Sequence, residues 1–211
     1  MNGIIGKKLG MTQVYDDAGR YVPVTVLAAG PCVVVQRKTA ARDGYDAAQL
    51  GFAAQKATRV NKSGLARFKK AGVEPQRLLR EIEVEGNEDV KEGAQITVAI
   101  FDGVSHVDVS GVTKGQGFQG VVKRYRFGGG PQSHGHMSHR RVGSIGMRTW
   151  PSRVLKNKRM PGHMGNVHVT TQNLRVVQVR AADNVILVEG SVPGPAGAFV
   201  VIKKALKKAA K

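Results

Sequence analysis

Apolar residues along the chain gather into short β-branched runs, which predicts strands rather than long amphipathic helices. Residues 21–27 and 32–37 are two such runs, parted by the turn signal Ala29-Gly30-Pro31. Residues 96–100 and 106–109 follow, with Asp102-Gly103 between them as a hairpin turn. Further on come 167–170, 174–179, 185–188 and 199–202, broken by Asp183-Asn184 and Pro193-Gly194-Pro195. Short strands at this spacing, with few helices, predict a small antiparallel barrel or sandwich. Residues 40–95 read as a small α+β insert. Its strands are 47–52 and 78–84, and its helix is 64–72, with Ser63 as N-cap, Gly72 as C-cap and Leu65 and Phe68 on one face.

The pattern fails between 114 and 165. Val121-Val122 and Val154-Leu155 are too short to build a core element, so the segment reads as one long loop. With about 26 residues out and back, such a loop reaches at most roughly 85 Å when fully extended. Its composition sets it apart further. Of 33 Lys+Arg and 15 Asp+Glu in 211 residues, net +18, residues 114–165 hold 11 basic side chains and no acidic one. Residues 1–113 hold 15 basic and 13 acidic ones, the balance of an ordinary globular surface. The loop also carries 11 Gly, four His and four Met. The C-terminal lysines, 203–211, read as a solvated end or a nucleic-acid arm.

Composition excludes several classes. The apolar content, 41%, is too high for a wholly disordered basic tail. One cysteine, Cys32, gives neither a disulfide framework nor a thiolate zinc site, and inside an apolar run it reads as a core residue. No apolar run is long enough for a membrane span, and the N-terminus lacks the apolar stretch of a signal peptide, so a cytoplasmic protein is expected.

Gly115-Gln116-Gly117-Phe118-Gln119-Gly120 matches a dinucleotide or kinase glycine loop, but the required helix and acidic residue do not follow. His134, His136 and His139 have no carboxylate or thiolate nearby, and Arg140 and Arg141 repel cations, so no metal is expected. Asp16-Asp17 and Glu88-Asp89 sit beside turn residues and read as surface turns. No cofactor, small-molecule substrate or catalytic residue is expected.

A cationic glycine-rich loop suits a folded RNA. Arg and Lys neutralise phosphates, Gly lets the backbone approach, and planar side chains such as Tyr125, Phe127 and Trp150 stack on unpaired bases. Met137, Met147, Met160 and Met164 fill irregular gaps. Lys114, Lys123, Arg124, Arg126, Arg140, Arg141, Arg148, Arg153, Lys156, Lys158 and Arg159 are the expected phosphate contacts. His134, His136, His139, His163 and Trp150 join them as hydrogen-bonding or stacking groups, and Lys7 and Lys8 extend the set outside the loop. The rivals are a DNA-binding architectural protein, disfavoured by the absence of a recognition helix, and a β-barrel enzyme acting on nucleic acid, which lacks a carboxylate or cofactor motif near the basic face.

Residues 3–12, Gly-Ile-Ile-Gly-Lys-Lys-Leu-Gly-Met-Thr, are similar to the N-terminus of the bacterial ribosomal protein L3 family. Phe101, Asp108, Gly111, Thr113, Gly115, Gly117, Gly120 and Arg124 fall at the spacings of its signature, as do residues 138–140, 143–146 and 160–166. The resemblance covers essentially the whole chain. It implies a mainly β fold: a closed antiparallel β-barrel of the translation-protein type (1–40, 95–113 and 166–205), a small α+β insert (41–94), a basic RNA-penetrating extension (114–165) and a basic tail (206–211). It also implies a structural constituent of the large (50S) subunit that binds 23S rRNA near its 3′ end and nucleates assembly. The extension would reach toward the peptidyl-transferase centre, with proteins of the L-fourteen and L-nineteen families as neighbours. Gln116 stands where the family usually has a basic residue, and residues 147–150 offer no Gln for the methylation found in some relatives.

Overall fold

The computed structural model describes residues 1–16, 18–84 and 90–208. Asp17, Glu88, Asp89 and the end of the basic tail therefore lie outside the described residues. The elements in chain order are β1 (Gly3–Tyr15), β2 (Tyr21–Ala29), β3 (Cys32–Lys38), α1 (Ala40–Asp43), β4 (Ala47–Ala54), α2 (Lys62–Ala71), β5 (Gln76–Glu83), β6 (Gln95–Ile96) and β7 (His106–Val112). They continue with β8 (Gly117–Gln119), α3 (Val121–Tyr125), β9 (Gly162–Met164), β10 (His168–Arg180), β11 (Val185–Glu189) and β12 (Phe199–Lys204). The chain divides into two compact units, Met1–Val112 with His168–Lys211, and Thr113–Val167.

The first unit is built on a closed six-stranded antiparallel barrel in the order β1-β12-β7-β10-β11-β2, with β2 pairing back to β1. Closure removes every free strand edge but demands curvature, which bulges supply. One bulge lies between Lys8 and Gly10. A second, between Thr171 and Leu174, explains a difference from the sequence reading. Residues 167–170 and 174–179 read as two strands, whereas β10 runs through both. At the bulge Asn173 takes a left-handed φ of 56°, and its N–H donates to the buried Asp108 carboxylate at 2.7 Å. A carboxylate in a barrel wall is thus satisfied by the amide that the bulge takes out of the ladder.

Close packing of β1 on its neighbours needs small residues. A Cβ at Gly6 would lie 2.8 Å from the Ala28 carbonyl oxygen, so no larger residue fits there without moving backbone.

A second sheet, in the order β5-β4-β3-β6, completes this unit. The 32–37 run and residues 95–96 were expected in the barrel, but β3 and β6 pair with each other and with the insert. The hairpin expected at Asp102-Gly103 does not form. Val98–Phe101 is a turn of 3-10 helix that buries Val98 and Phe101. The helix of the insert, α2, starts earlier than expected. Asn61, not Ser63, caps it by accepting from the Gly64 N–H at 2.8 Å, and Gly72 closes it at φ 65° as expected.

One hydrophobic cluster serves both parts of the unit, joining Ile4, Leu27, Phe101 and Ile202 to Leu50 and Ile82. Cys32 is buried within it and donates its S–H to the Ile5 carbonyl at 3.3 Å. Burial pushes its pKa up from 9.0 to about 12, only partly offset by that backbone contact. The folded thiol therefore stays protonated where an unfolded one ionises, and this group lowers stability as pH climbs from about 9 toward 12. Iodoacetamide at pH 8 is expected to leave Cys32 unmodified in the folded protein and to alkylate it fully in guanidinium, as read by mass spectrometry; rapid labelling of the folded chain would place the thiol at the surface.

Candidate nucleic-acid interface

The second unit, Thr113–Val167, begins and ends at neighbouring points of the barrel, since Val112 and His168 are register partners of β7 and β10. Hydrogen bonds between its own two ends continue the pairing. Thr113 N–H donates to the Val167 carbonyl at 2.9 Å, and the Val167 N–H donates back to Thr113 Oγ1 at 3.3 Å. Gln116 N–H donates to the Met164 carbonyl at 2.9 Å, and β8 pairs with β9 from Gly117↔Met164 to Gln119↔Gly162. A side chain at Gly165 would collide with the Lys114 carbonyl, and its φ of 75° is left-handed. Residues 114–165 are thus more ordered than the sequence reading allowed: a two-stranded ribbon and one short helix, with Val121 buried at the start of α3.

The expected phosphate contacts fall into two groups. Ten of the eleven cations are exposed: Lys114, Lys123, Arg126, Arg140, Arg141, Arg148, Arg153, Lys156, Lys158 and Arg159. None has a carboxylate within the unit to neutralise it, because the segment contains none. Arg124 is the exception. Its Nη1 donates to the Met160 carbonyl at 2.8 Å, its guanidinium lies over the Tyr125 ring at 5.0 Å, and it fills the space that a Cβ at Gly162 would take. Arg124 therefore ties α3 to the returning strand, and the expectation that it binds phosphate is corrected to an internal role. Tyr125 also carries the Arg159 guanidinium at 5.6 Å, so that ring is partly occupied by cations.

Two of the histidines also bond the unit's own backbone. His139 Nδ1 donates to the Pro131 carbonyl at 2.8 Å, and the His139 carbonyl accepts from the Gly130 N–H at 3.1 Å. His136 Nδ1 accepts from the Ser138 N–H at 3.1 Å, and its ring lies so close to Gly130 that a Cβ there would sit 2.5 Å away. They close the turn between Gly128–Pro131 and 136–139. His134 and His163 are exposed.

Lys8 departs furthest from expectation. It is only 9% exposed, and its Nζ donates to the carbonyls of Val192 (2.7 Å) and Gly194 (3.1 Å). The ammonium completes backbone carbonyls beside the β1 bulge and has no surface to offer a phosphate. Lys7 is exposed.

Stacking surface accompanies the free cations. Trp150 is 83% exposed, Phe118 77% and Met147 74%. A hollow of about 330 Å³ is lined by Ile145, Met147, Pro151 and Leu155 and flanked by Arg153 and Lys158. An apolar floor with cations at its margin can take the face of an unstacked base while the cations hold its phosphate.

The family model described as Ribosomal protein L3 matches residues 80–185. The large ribosomal subunit protein uL3 of Syntrophotalea carbinolica is 52% identical over 206 residues, spanning 97% of this chain and 98% of that protein. Those of Solibacter usitatus and Pelotomaculum thermopropionicum are also 52% identical, over 204 and 205 residues. The chain belongs to the ribosomal protein L3 family.

Several signature positions of the L3 family gain a physical reason here. Asp108 satisfies the β10 bulge, Gly165 permits the close approach to Lys114, and Arg124 staples the second unit. One cationic surface escaped the sequence reading, because the first 113 residues were averaged. Residues 55–80 hold eight basic side chains against one acid, Glu74, while 81–92 hold six acids against one base, Lys91. A running charge over about 25 residues finds it; the half-chain sum cancels it.

Lys8→Met leaves two buried carbonyls without a donor. It is expected to lower stability by about 1–3 kcal/mol in urea unfolding while leaving the salt dependence of RNA binding unchanged. Arg124→Met is expected to speed amide exchange at 117–119 and 162–164 by roughly 10-fold or more, with β2 and β11 unaffected. Unaltered exchange would return Arg124 to the phosphate-binding set.

Proposed function

We propose that this chain is a structural protein of the large ribosomal subunit that binds 23S rRNA through residues 113–167 and catalyses nothing itself. The observation that carries this reading is the near full-length likeness to uL3 proteins, joined to a unit with ten exposed cations and no carboxylate. Phosphate binding follows from charge, since each neutralised phosphate releases counterions. Base stacking falls to Trp150, Phe118 and the hollow beside Met147. The finer assignments rest on the family likeness: a site near the 3′ end of 23S rRNA, an early role in assembly, and an approach of the unit to the peptidyl-transferase centre. Neighbours of the L-fourteen and L-nineteen families belong to the same reading. The location is then the cytoplasmic ribosome; among the described residues no helix is long and apolar enough to cross a membrane.

Duplex DNA is the weaker partner. The helix in this unit, α3, has five residues, about 7 Å of axis, too short to read a major groove.

With roughly six to eight phosphates engaged, log affinity for a 23S rRNA fragment is expected to fall against log salt with a slope of about −4 to −7. Filter binding across a salt series measures it, with duplex DNA as competitor. A slope near zero, or equal competition by DNA, would overturn the reading.

A further inference from the structure

The insert of the first unit carries a second charged surface that this role does not require. α2 and the 3-10 turn before it face β5 across an open groove of about 550 Å³. Arg59, Arg77 and Arg80 line it, with Asn61, Gln55 and Gln76 between them, and no carboxylate does. Residues 55–80 hold eight basic side chains; all are exposed, and none forms an ion pair with a described residue. The nearest acid on the strand, Glu81, is held by Lys38 at 2.7 Å and by the Tyr45 hydroxyl at 2.7 Å. β5 is also an edge of its sheet, so the groove is not closed by another strand.

We infer that this groove is a second RNA-binding site, one that grips the sugar-phosphate backbone of an RNA duplex without reading its bases. The inference rests on the rRNA-binding function proposed above and adds to it a separate point of contact.

Two features fix the chemistry of the partner. An acidic protein surface would want aromatic or large apolar anchors at the centre of its contact. Val60, Phe68, Leu78 and Leu79 also line the groove, but Phe68 is buried and the other three are half-buried. None of the large exposed hydrophobic side chains of the chain lies between residues 55 and 80. The same absence separates this groove from the second unit, where Trp150 and Phe118 stand among the cations. Cations without stacking groups match a helical backbone whose bases are already paired, recognised through phosphates and 2′-hydroxyls. Arginine suits the task, because its planar fork bonds two phosphate oxygens at once. Gln55 and Gln76 each spend one amide N–H on the Arg59 and Glu74 carbonyls, and Arg80 one of its five N–H groups on the Leu79 carbonyl, which leaves the guanidiniums as the groove's main donors.

Arg77 also lies over the Phe199 ring at 5.5 Å, so its loss could disturb packing. The test therefore uses two full-length variants, R59Q/R77Q/R80Q and R59Q/R80Q, with thermal unfolding as the check on folding. Each lost phosphate contact lowers the salt slope by roughly 0.7–0.9. The triple variant is expected to lose about 2–3 units of slope and on the order of 10²-fold in affinity at 0.1 M salt, and the double variant about two-thirds of that slope change. Hydroxyl-radical footprinting should show lost protection confined to a duplex segment, with the protections due to residues 113–167 retained. A wild-type slope near zero would sink the proposed function itself. A normal wild-type slope that neither folded variant changes would sink only this second site. Loss of protection at unpaired bases instead of a duplex backbone would also overturn it.

Discussion

A segment with eleven cations and no acid cannot hold itself together by charge, and with Val121 as its one buried large side chain it has almost no core. Everything it does depends on having its two ends fixed side by side. The antiparallel register of β7 and β10 supplies that: Val112 and His168 are partners, and Thr113 and Val167 carry the pairing on with reciprocal hydrogen bonds. Backbone pairing is indifferent to side-chain charge, so it can close a segment whose side chains repel. The barrel that holds those two strands is closed with the help of bulges. Asp108 meets the amide freed at the β10 bulge, and Lys8, beside the β1 bulge, bonds carbonyls of the connection between β11 and β12.

Two kinds of cation result, distinguished by what they touch and not by their place in the sequence. Lys8 and Arg124 spend their charge on backbone carbonyls of chain connections, Val192 and Gly194 between β11 and β12 and Met160 before β9. The exposed ones have no acceptor within reach. A buried or half-buried cation on carbonyls is expensive to desolvate and is retained where the alternative is unpaired carbonyls. An exposed cation among ten others is held apart only by solvent and salt, and gains most when a polyanion arrives.

The sequence carried the β class and most of the barrel, because β-branched runs of 4–7 residues report burial on a pleated surface wherever they pair. β1, β8 and β9 went unread, since Gly and Lys interrupt the apolar pattern of β1 and the other two have three residues each. What it could not carry was allegiance. The 32–37 run looks the same whether it pairs with β2 or with β4, and the choice is made by Leu50, Ile82 and the rest of a core assembled from distant segments. The hairpin at Asp102-Gly103 failed for the same reason. Phe101 is more valuable buried in the shared core than paired across a two-residue turn, so residues 98–101 coil into a 3-10 turn. The α2 cap moved from Ser63 to Asn61 because both residue types cap well, and only the position of the first turn decides between them. Most of the candidate interface was legible, since exposed cations in an acid-free stretch need no partner to be recognised. The internal bonds of Lys8, Arg124, His136 and His139 were not, because their partners are backbone groups, carbonyls for Lys8, Arg124 and His139 and an N–H for His136, up to 186 positions away in the case of Lys8.

Glycine in the second unit has a different meaning from the flexibility its abundance suggests. At Gly129 a side chain would meet the His139 carbonyl, at Gly130 the His136 ring, at Gly162 the Arg124 guanidinium and at Gly165 the Lys114 carbonyl. Each marks a place where two stretches of chain approach too closely for a Cβ. A segment with little hydrophobic core can still pack if its backbone comes up directly against another stretch of backbone, as at Gly129 and Gly165, or against a planar side chain, as at Gly130 and Gly162, and glycine is the residue that permits it. The same choice that removes side chains from the inside leaves Arg, Lys and Trp150 outside, where a partner must meet them. Glycine here is therefore the counterpart of the missing acids: one lets the unit close without a core, and the other leaves its charge unspent.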